Sequence, residues 1–85
     1  MKAVDKELRL RHLTVDEALF RLDQYLNDAF MANLPSVRIV HGKGMGMLRQ
    51  AVHDLLAKHP LVESYRLSDY GEGDYGVTIV ELAGR

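Results

Sequence analysis

The sequence predicts an α/β fold: a two-layer sandwich in the order strand, helix, strand, helix, strand, strand, with both helices on one face of a mixed four-stranded sheet. Three observations predict it. Two amphipathic stretches, with apolar residues at three- and four-residue steps, alternate with short apolar or alternating runs. A glycine-rich stretch joins the second such run directly to the second helical stretch. The last two runs are separated only by a turn, so the final strand returns antiparallel to the three before it. Right-handed crossovers place both helices on the same side of the sheet.

Residues 1–6 form a polar lead-in, and 7–85 the domain. In Glu7 to Arg11, Leu8 and Leu10 alternate with Arg9 and Arg11, the period of a strand with one dry and one wet face. Thr14 and Glu17 have capping-box spacing. Behind them Val15, Ala18, Leu19, Leu22, Tyr25, Leu26, Ala29 and Phe30 make the strongest helical stripe in the chain. That helix is expected to end near Ala32, with Asn33 as C-cap and Pro35 unable to continue it. Val37 to Val40, apolar except for Arg38, suits an inner parallel strand. A second helix begins at Met47, buries Leu48, Ala51, Val52, Leu55 and Leu56, and is closed by His59-Pro60. Leu61 to Leu67 and Val77 to Leu82 read as the last two strands, joined by a turn over residues 68–76 that is long for a hairpin.

At 85 residues the chain is one domain with a core of marginal size. No apolar run is long enough to span a membrane, and the N-terminus is too polar for a secretory signal. Cysteine is absent, which excludes disulfides and thiolate metal sites and fits a reducing, cytoplasmic setting. The net charge of −1 conceals an asymmetry: residues 1–50 carry +2 and residues 51–85 carry −3. A polyanion would therefore meet the N-terminal half, with its Arg9, Arg11, Arg38, Lys43 and Arg49.

The chemistry concentrates in His41-Gly42-Lys43-Gly44-Met45-Gly46, between a strand and a helix start. Bare glycine backbone lets amides approach an anion, and the helix that follows directs its unpaired N–H groups and positive dipole end into the same space. Lys43 adds a fixed charge and His41 a titratable one. A tight turn that needs glycine only for its backbone conformation explains the same residues about as well. The stretch has neither the P-loop ending nor the dinucleotide glycine spacing.

Together with these residues, Glu7-Leu8-Arg9-Leu10-Arg11-His12-Leu13, Asp16-Glu17-Ala18-Leu19, the run His41 to Arg49, and Gly71 to Leu82 resemble a small MutS-related (Smr) domain. The resemblance extends over about residues 7 to 82, with its four blocks in the family's order and spacing. It is strongest to the form found at the C-terminus of bacterial MutS homologues of the recombination-suppressing type. It implies a fold similar to the C-terminal domain of bacterial translation initiation factor three. It also implies DNA or RNA binding, with nicking endonuclease activity in several members, here directed at DNA, including branched recombination intermediates, or at RNA. An ATPase core would precede such a domain in a longer chain, and the ribosome is a further partner the family suggests. The family's first motif usually carries aspartate and glycine where this chain has Arg9 and His12. Met45 stands where a threonine is common. The alternative is therefore a non-catalytic nucleic-acid- or ribosome-binding module in which Arg9 replaces the aspartate.

On these grounds His41 and Arg11 are the candidate catalytic residues. Gly42, Lys43, Gly44, Gly46, Arg9 and Arg49 are the candidate phosphate contacts. No residue is assigned to a metal, and Mg²⁺ is the one cofactor left open. The bland counterparts are clear. His41 can be a histidine satisfied by backbone at a strand end, and Arg9 and Arg11 can be solvated cations paired with Glu81 or Glu63. Four histidines without a short paired spacing do not suggest zinc. His12 reads as a turn residue, and His53 and His59 as surface or helix-end residues. Tyr70 and Tyr75 are candidates for stacking on bases, but pack more readily over their own loop. Asp69, Glu72 and Asp74 read as solvated turn acids, the alternative being that one of them supplies the missing carboxylate.

Overall fold

The computed structural model describes residues 3–43, 46–68 and 76–84. Its elements are β1 (Glu7–Arg9), α1 (Val15–Met31), β2 (Ser36–Val40), α2 (Met47–Lys58), β3 (Val62–Leu67) and β4 (Val77–Leu82). The expected order and the mixed four-stranded sheet are both present, with strand order β1-β2-β4-β3. β1 runs parallel to β2, and β4 lies antiparallel between β2 and β3. The first three strands therefore share one direction, and the last strand of the chain divides them.

Alternation sorts the sheet into two faces. Val37 and Ile39 of β2 pair with Val80 and Thr78 of β4, and all four are buried on the side that carries the helices. Ala18, Leu22, Tyr25, Leu26 and Ala29 of α1 and Val52 and Leu56 of α2 complete that core. Full burial of a leucine such as Leu22 or Leu26 contributes roughly 1.5–3 kcal/mol, so a few such residues decide whether a domain of this size folds. The opposite face carries a row across the sheet in which Glu7, Arg38, Ile79 and Arg66 are successive register partners.

Local signals hold α1 at both ends. Thr14 Oγ1 accepts from the Glu17 amide at 3.2 Å and the Glu17 carboxylate accepts from the Thr14 amide at 3.0 Å, so the capping box is formed. At the other end Ala32 is the C-cap and Asn33 is one residue beyond it, at φ +62°. The amides of Leu34 and Asn33 donate back to Ala29 and Phe30 at 3.0 Å each, a Schellman closure with asparagine in its left-handed position.

Three strand boundaries differ from expectation. β2 begins at Ser36 rather than Val37. β1 stops at Arg9 rather than Arg11, because the chain turns at Arg11 and His12, where His12 adopts φ +70°. Arg11 therefore does not share a strand face with Arg9. β3 begins at Val62 rather than Leu61, and its pairing with β4 is irregular between Val62 and Ser64. The lead-in is tied to the body from Val4 onward. Val4 packs on the core, the Tyr25 hydroxyl donates to the Asp5 carbonyl, and the Arg38 amide donates to the Lys6 carbonyl at 2.9 Å.

Two stability changes follow. Thr14→Ala removes the cap and is expected to lower unfolding free energy by about 1 kcal/mol in urea denaturation. His12→Gly relieves a left-handed conformation that disfavours a side chain by roughly 1–2 kcal/mol. Allowing for glycine's greater unfolded-state freedom, it should leave the domain equally stable or more stable by up to about 1 kcal/mol.

Candidate functional site

The site is built where the C-terminal end of β2, the start of α2 and the start of β4 converge. The Gly76 carbonyl, just before β4, accepts from the amides of both His41 and Gly42, at 3.1 and 2.9 Å. A Cβ at Gly76 would lie 3.3 Å from the Gly42 carbonyl carbon and 3.3 Å from Lys43 Cγ. Close approach of two backbones thus favours glycine there, since a side chain would crowd the Gly42 backbone. Gly42 itself sits at φ +87° and Gly46 at φ +85°, conformations that favour glycine. The first two amides of the loop are therefore held inside the protein. Those that point outward lie further on, at the first turn of α2, where the Gly46 N-cap supplies no side-chain hydrogen bond.

Beneath the loop lies a polar trio of His41, Thr78 and His53. His41 is only 5% exposed and Thr78 is fully buried. His41 Nδ1 is 3.0 Å from the Gly42 carbonyl and its Nε2 is 2.8 Å from Thr78 Oγ1. His53 Nε2 reaches the same hydroxyl at 2.8 Å. The two imidazoles are edge-on with centroids 6.1 Å apart, and Tyr65 packs on His53 at 5.1 Å. Burial pushes the His41 pKa below 6.5 and Arg49 adds to this, against the opposing pull of the Gly42 carbonyl. Burial also lowers His53, helped by His41 and Arg49 and opposed by Asp54. Both rings are therefore neutral at pH 7.

Arg11 leaves the sheet to lie over the loop, its Cδ and Cγ 3.5 and 3.6 Å from where a Gly42 Cβ would stand. Arg49 folds back over the start of α2, with its guanidinium 3.3 Å from the corresponding point at Gly46. Arg11 and Lys43 are exposed and Arg49 is half-buried. Gly42, Lys43 and Arg11 thus come together, and Arg49 with Gly46 at the start of α2 lies within electrostatic reach of His41, whereas Arg9 does not join them. Arg9 lies on the helix-free face, with Nε 3.0 Å from Glu7 Oε2, while Arg38 Nε is 3.3 Å from Glu7 Oε1. Hydrogen bonds from Arg9 and then Arg38 hold the Glu7 carboxyl below the usual carboxylate range. Arg9 thus pairs with Glu7, not with Glu81 or Glu63.

Gly44, Met45, Tyr70, Tyr75 and the acids Asp69, Glu72 and Asp74 lie outside the described residues. Among the described residues, no group of three or more His, Asp or Glu is placed to hold a metal ion. The described side chains gathered at the loop are cationic, a set that suits an anion rather than Mg²⁺.

Sequence reasoning missed Thr78, His53 and Gly76. The signal for Thr78 is a hydroxyl at an inward position of an otherwise apolar strand, where burial demands partners. His59, read as a surface or helix-end residue, joins the helices: its Nε2 lies 2.8 Å from Asp23 Oδ1 of α1.

A model of the Smr domain family matches residues 8–83. The chain is 57% identical over 81 residues to Endonuclease MutS2 of Clostridium beijerinckii, covering 95% of this chain and 10% of that protein. It is 52% identical over 81 residues to Endonuclease MutS2 of Caldicellulosiruptor saccharolyticus, covering 95% of this chain and 10% of that one. It thus spans about one tenth of the length of the curated relatives it matches. Among solved structures, the Smr domain of Thermus thermophilus MutS2 superposes with a TM-score of 0.90 at 47% identity, covering 93% of this chain and 99% of that one. YdaL, a stand-alone small MutS-related protein from Escherichia coli, superposes with a TM-score of 0.85 at 25% identity, covering 91% of this chain and 63% of that one.

Two outcomes test this geometry. Gly76→Ala should destabilise the domain by about 1–3 kcal/mol, because the contact it tightens is with backbone already held by two hydrogen bonds. Buried His41 and half-buried His53 bind protons less readily folded than unfolded. Their contribution to stability is therefore complete above pH 6.5 and lost as the pH falls through their lower folded values. Urea midpoints measured from about pH 8 down to about pH 5 should fall accordingly, and less steeply in His53→Gln.

Proposed function

Since the chain belongs to the Smr domain family, we propose that it binds DNA or RNA by the phosphate backbone at the glycine loop and serves strand nicking or cleavage there. The observation that carries this reading is Arg11 lying over Gly42 beside Lys43, with Arg49 at the start of α2 near His41, where the His41 and Gly42 amides are held by the Gly76 carbonyl. A phosphate seated there meets the first-turn amides of α2 and the positive end of its dipole. Arg11 and Arg49 present guanidinium groups suited to two phosphate oxygens, and Lys43 adds a point charge at the rim. Such contacts position a strand without reading its bases. The printed name of the relatives, Endonuclease MutS2, supports the nuclease part of the proposal.

Within this reading Arg11 neutralises charge that develops on the phosphate when water displaces a strand oxygen. His41 has both ring nitrogens engaged, which supports a loop-holding role in place of the proton transfer that its position in the motif suggested. The second reading is a module that binds without cutting. The observation in its favour is Arg9, a cation paired with Glu7 on the helix-free face where the family usually has a carboxylate. The ATPase partner segment, the ribosome and a cytoplasmic setting remain parts of the proposal that rest on the family alone.

Incubation with supercoiled plasmid and with structured RNA, each with and without Mg²⁺, separates the two readings. Nicked circles or RNA fragments that disappear in Arg11→Ala support cleavage. Binding without either product leaves the binding module. Affinity of the isolated domain should be micromolar or weaker, with log K falling against log salt at a slope of about −2 to −3 for three phosphate contacts. Lys43→Ala should weaken binding by about 1 kcal/mol and lower that slope by roughly one. A flat salt response, or amide shifts confined to residues 61–67 and 79–82, would overturn the proposed site.

A further inference from the structure

We propose that Thr78 and His53 are positioning residues of the glycine loop, acting through His41 along a hydrogen-bond chain with one permitted direction. The inference rests on the reading of the loop as the phosphate site. Its starting point is the Gly42 carbonyl, which can only accept, so His41 Nδ1 carries a hydrogen and donates to it. A neutral imidazole protonated at Nδ1 leaves Nε2 bare, and Thr78 Oγ1–H donates to it. The hydroxyl has a single hydrogen, so toward His53 it accepts, and His53 Nε2 is the protonated nitrogen of that ring. The order is His53 Nε2–H to Thr78 Oγ1–H to His41 Nε2, and His41 Nδ1–H to the Gly42 carbonyl.

Each link fixes the next. The described buried side-chain nitrogens and oxygens all have partners, so the trio is satisfied as it stands. Its far end sits on α2 among Tyr65 of β3, Arg49 and Asp54. Its near end holds the Gly42 carbonyl inward, while the Gly76 carbonyl holds the two amides before it. The loop backbone is thereby held through both its donors and its acceptor. With Gly42 at φ +87°, Lys43 emerges outward from a fixed origin. A proton added to His41 would put a donor on Nε2, which reverses the Thr78 hydroxyl and requires a bare Nε2 on His53. The chain therefore transmits a change at the α2 face to the loop carbonyl, with no contact between His53 and the bound strand.

Long-range ¹H–¹⁵N spectra of the imidazoles test this directly. At about pH 7.5 His41 should be the Nδ1–H tautomer and His53 the Nε2–H tautomer. Thr78→Val removes the hydroxyl at nearly constant volume. It should mix the tautomers of both rings, shift the amides of residues 42, 43 and 46–48, and weaken binding of a fluorescein-labelled twelve-nucleotide oligothymidylate about fivefold or more. Thr78→Ser, which keeps the hydroxyl, should restore all three. The opposite tautomer in His41, or a folded Thr78→Val with unchanged loop amides and affinity, would overturn the proposal. If the wild-type chain fails to bind the oligonucleotide, the phosphate reading fails, while the tautomers and loop shifts still decide whether the chain operates.

Discussion

Two amides on one carbonyl set the geometry of this domain's working end. Because Gly76 accepts from both His41 and Gly42, the end of β2 and the beginning of β4 are drawn so close that a Cβ at Gly76 would stand 3.3 Å from the Gly42 carbonyl carbon. That contact continues the antiparallel register of β2 and β4, from Ser36 opposite Glu81 to Val40 opposite Val77, one step beyond the regular ladder. It also brings Thr78 beneath His41. The loop conformation, the buried polar trio and the outward path of Lys43 each depend on it.

Burying a threonine hydroxyl and the His41 imidazole, with His53 half-buried beside them, is a cost that an apolar trio would avoid. It is offset here because every donor has an acceptor within 3.0 Å. Apolar side chains can slide over one another. A directed chain of hydrogen bonds ties one ring orientation to one carbonyl position, which a surface that must hold phosphate oxygens requires. The open sheet face is organised differently. Glu7 there receives both Arg9 and Arg38 at a half-exposed edge, and such pairs contribute little because water competes for them.

How much of this was legible in the chain depended on the distance between partners. Thr14 and Glu17, the apolar stripe of α1, the Asn33-Leu34-Pro35 exit and the limits of β4 are local, and the structure follows them closely. The shared direction of β1 and β2 followed from the helix that connects them, and chain handedness put both helices on one face. What periodicity does not encode is contact between remote segments. Arg11 was assigned to a strand because alternation continued through it, but the left-handed turn at His12 redirects it onto Gly42. His53 was placed on a surface because its helix neighbours are mixed; its partner Thr78 lies 25 residues away. Glu7 and Arg9 stand two apart on one strand, a pairing alternation permits, yet Glu81 or Glu63 was the partner expected for Arg9.

The central position of β4 has a consequence for how such a chain comes to be folded. β1 and β2 can pair once both exist, but β3 has no neighbour in the sheet until residues 77–82 arrive between it and β2. Before those residues are made, Val37 and Ile39 of β2 and Tyr65 of β3 lack the strand that fills the slot between them in the fold. Filling that slot joins contacts far apart in sequence in one step, so assembly of the sheet and closure of the glycine loop are the same late event.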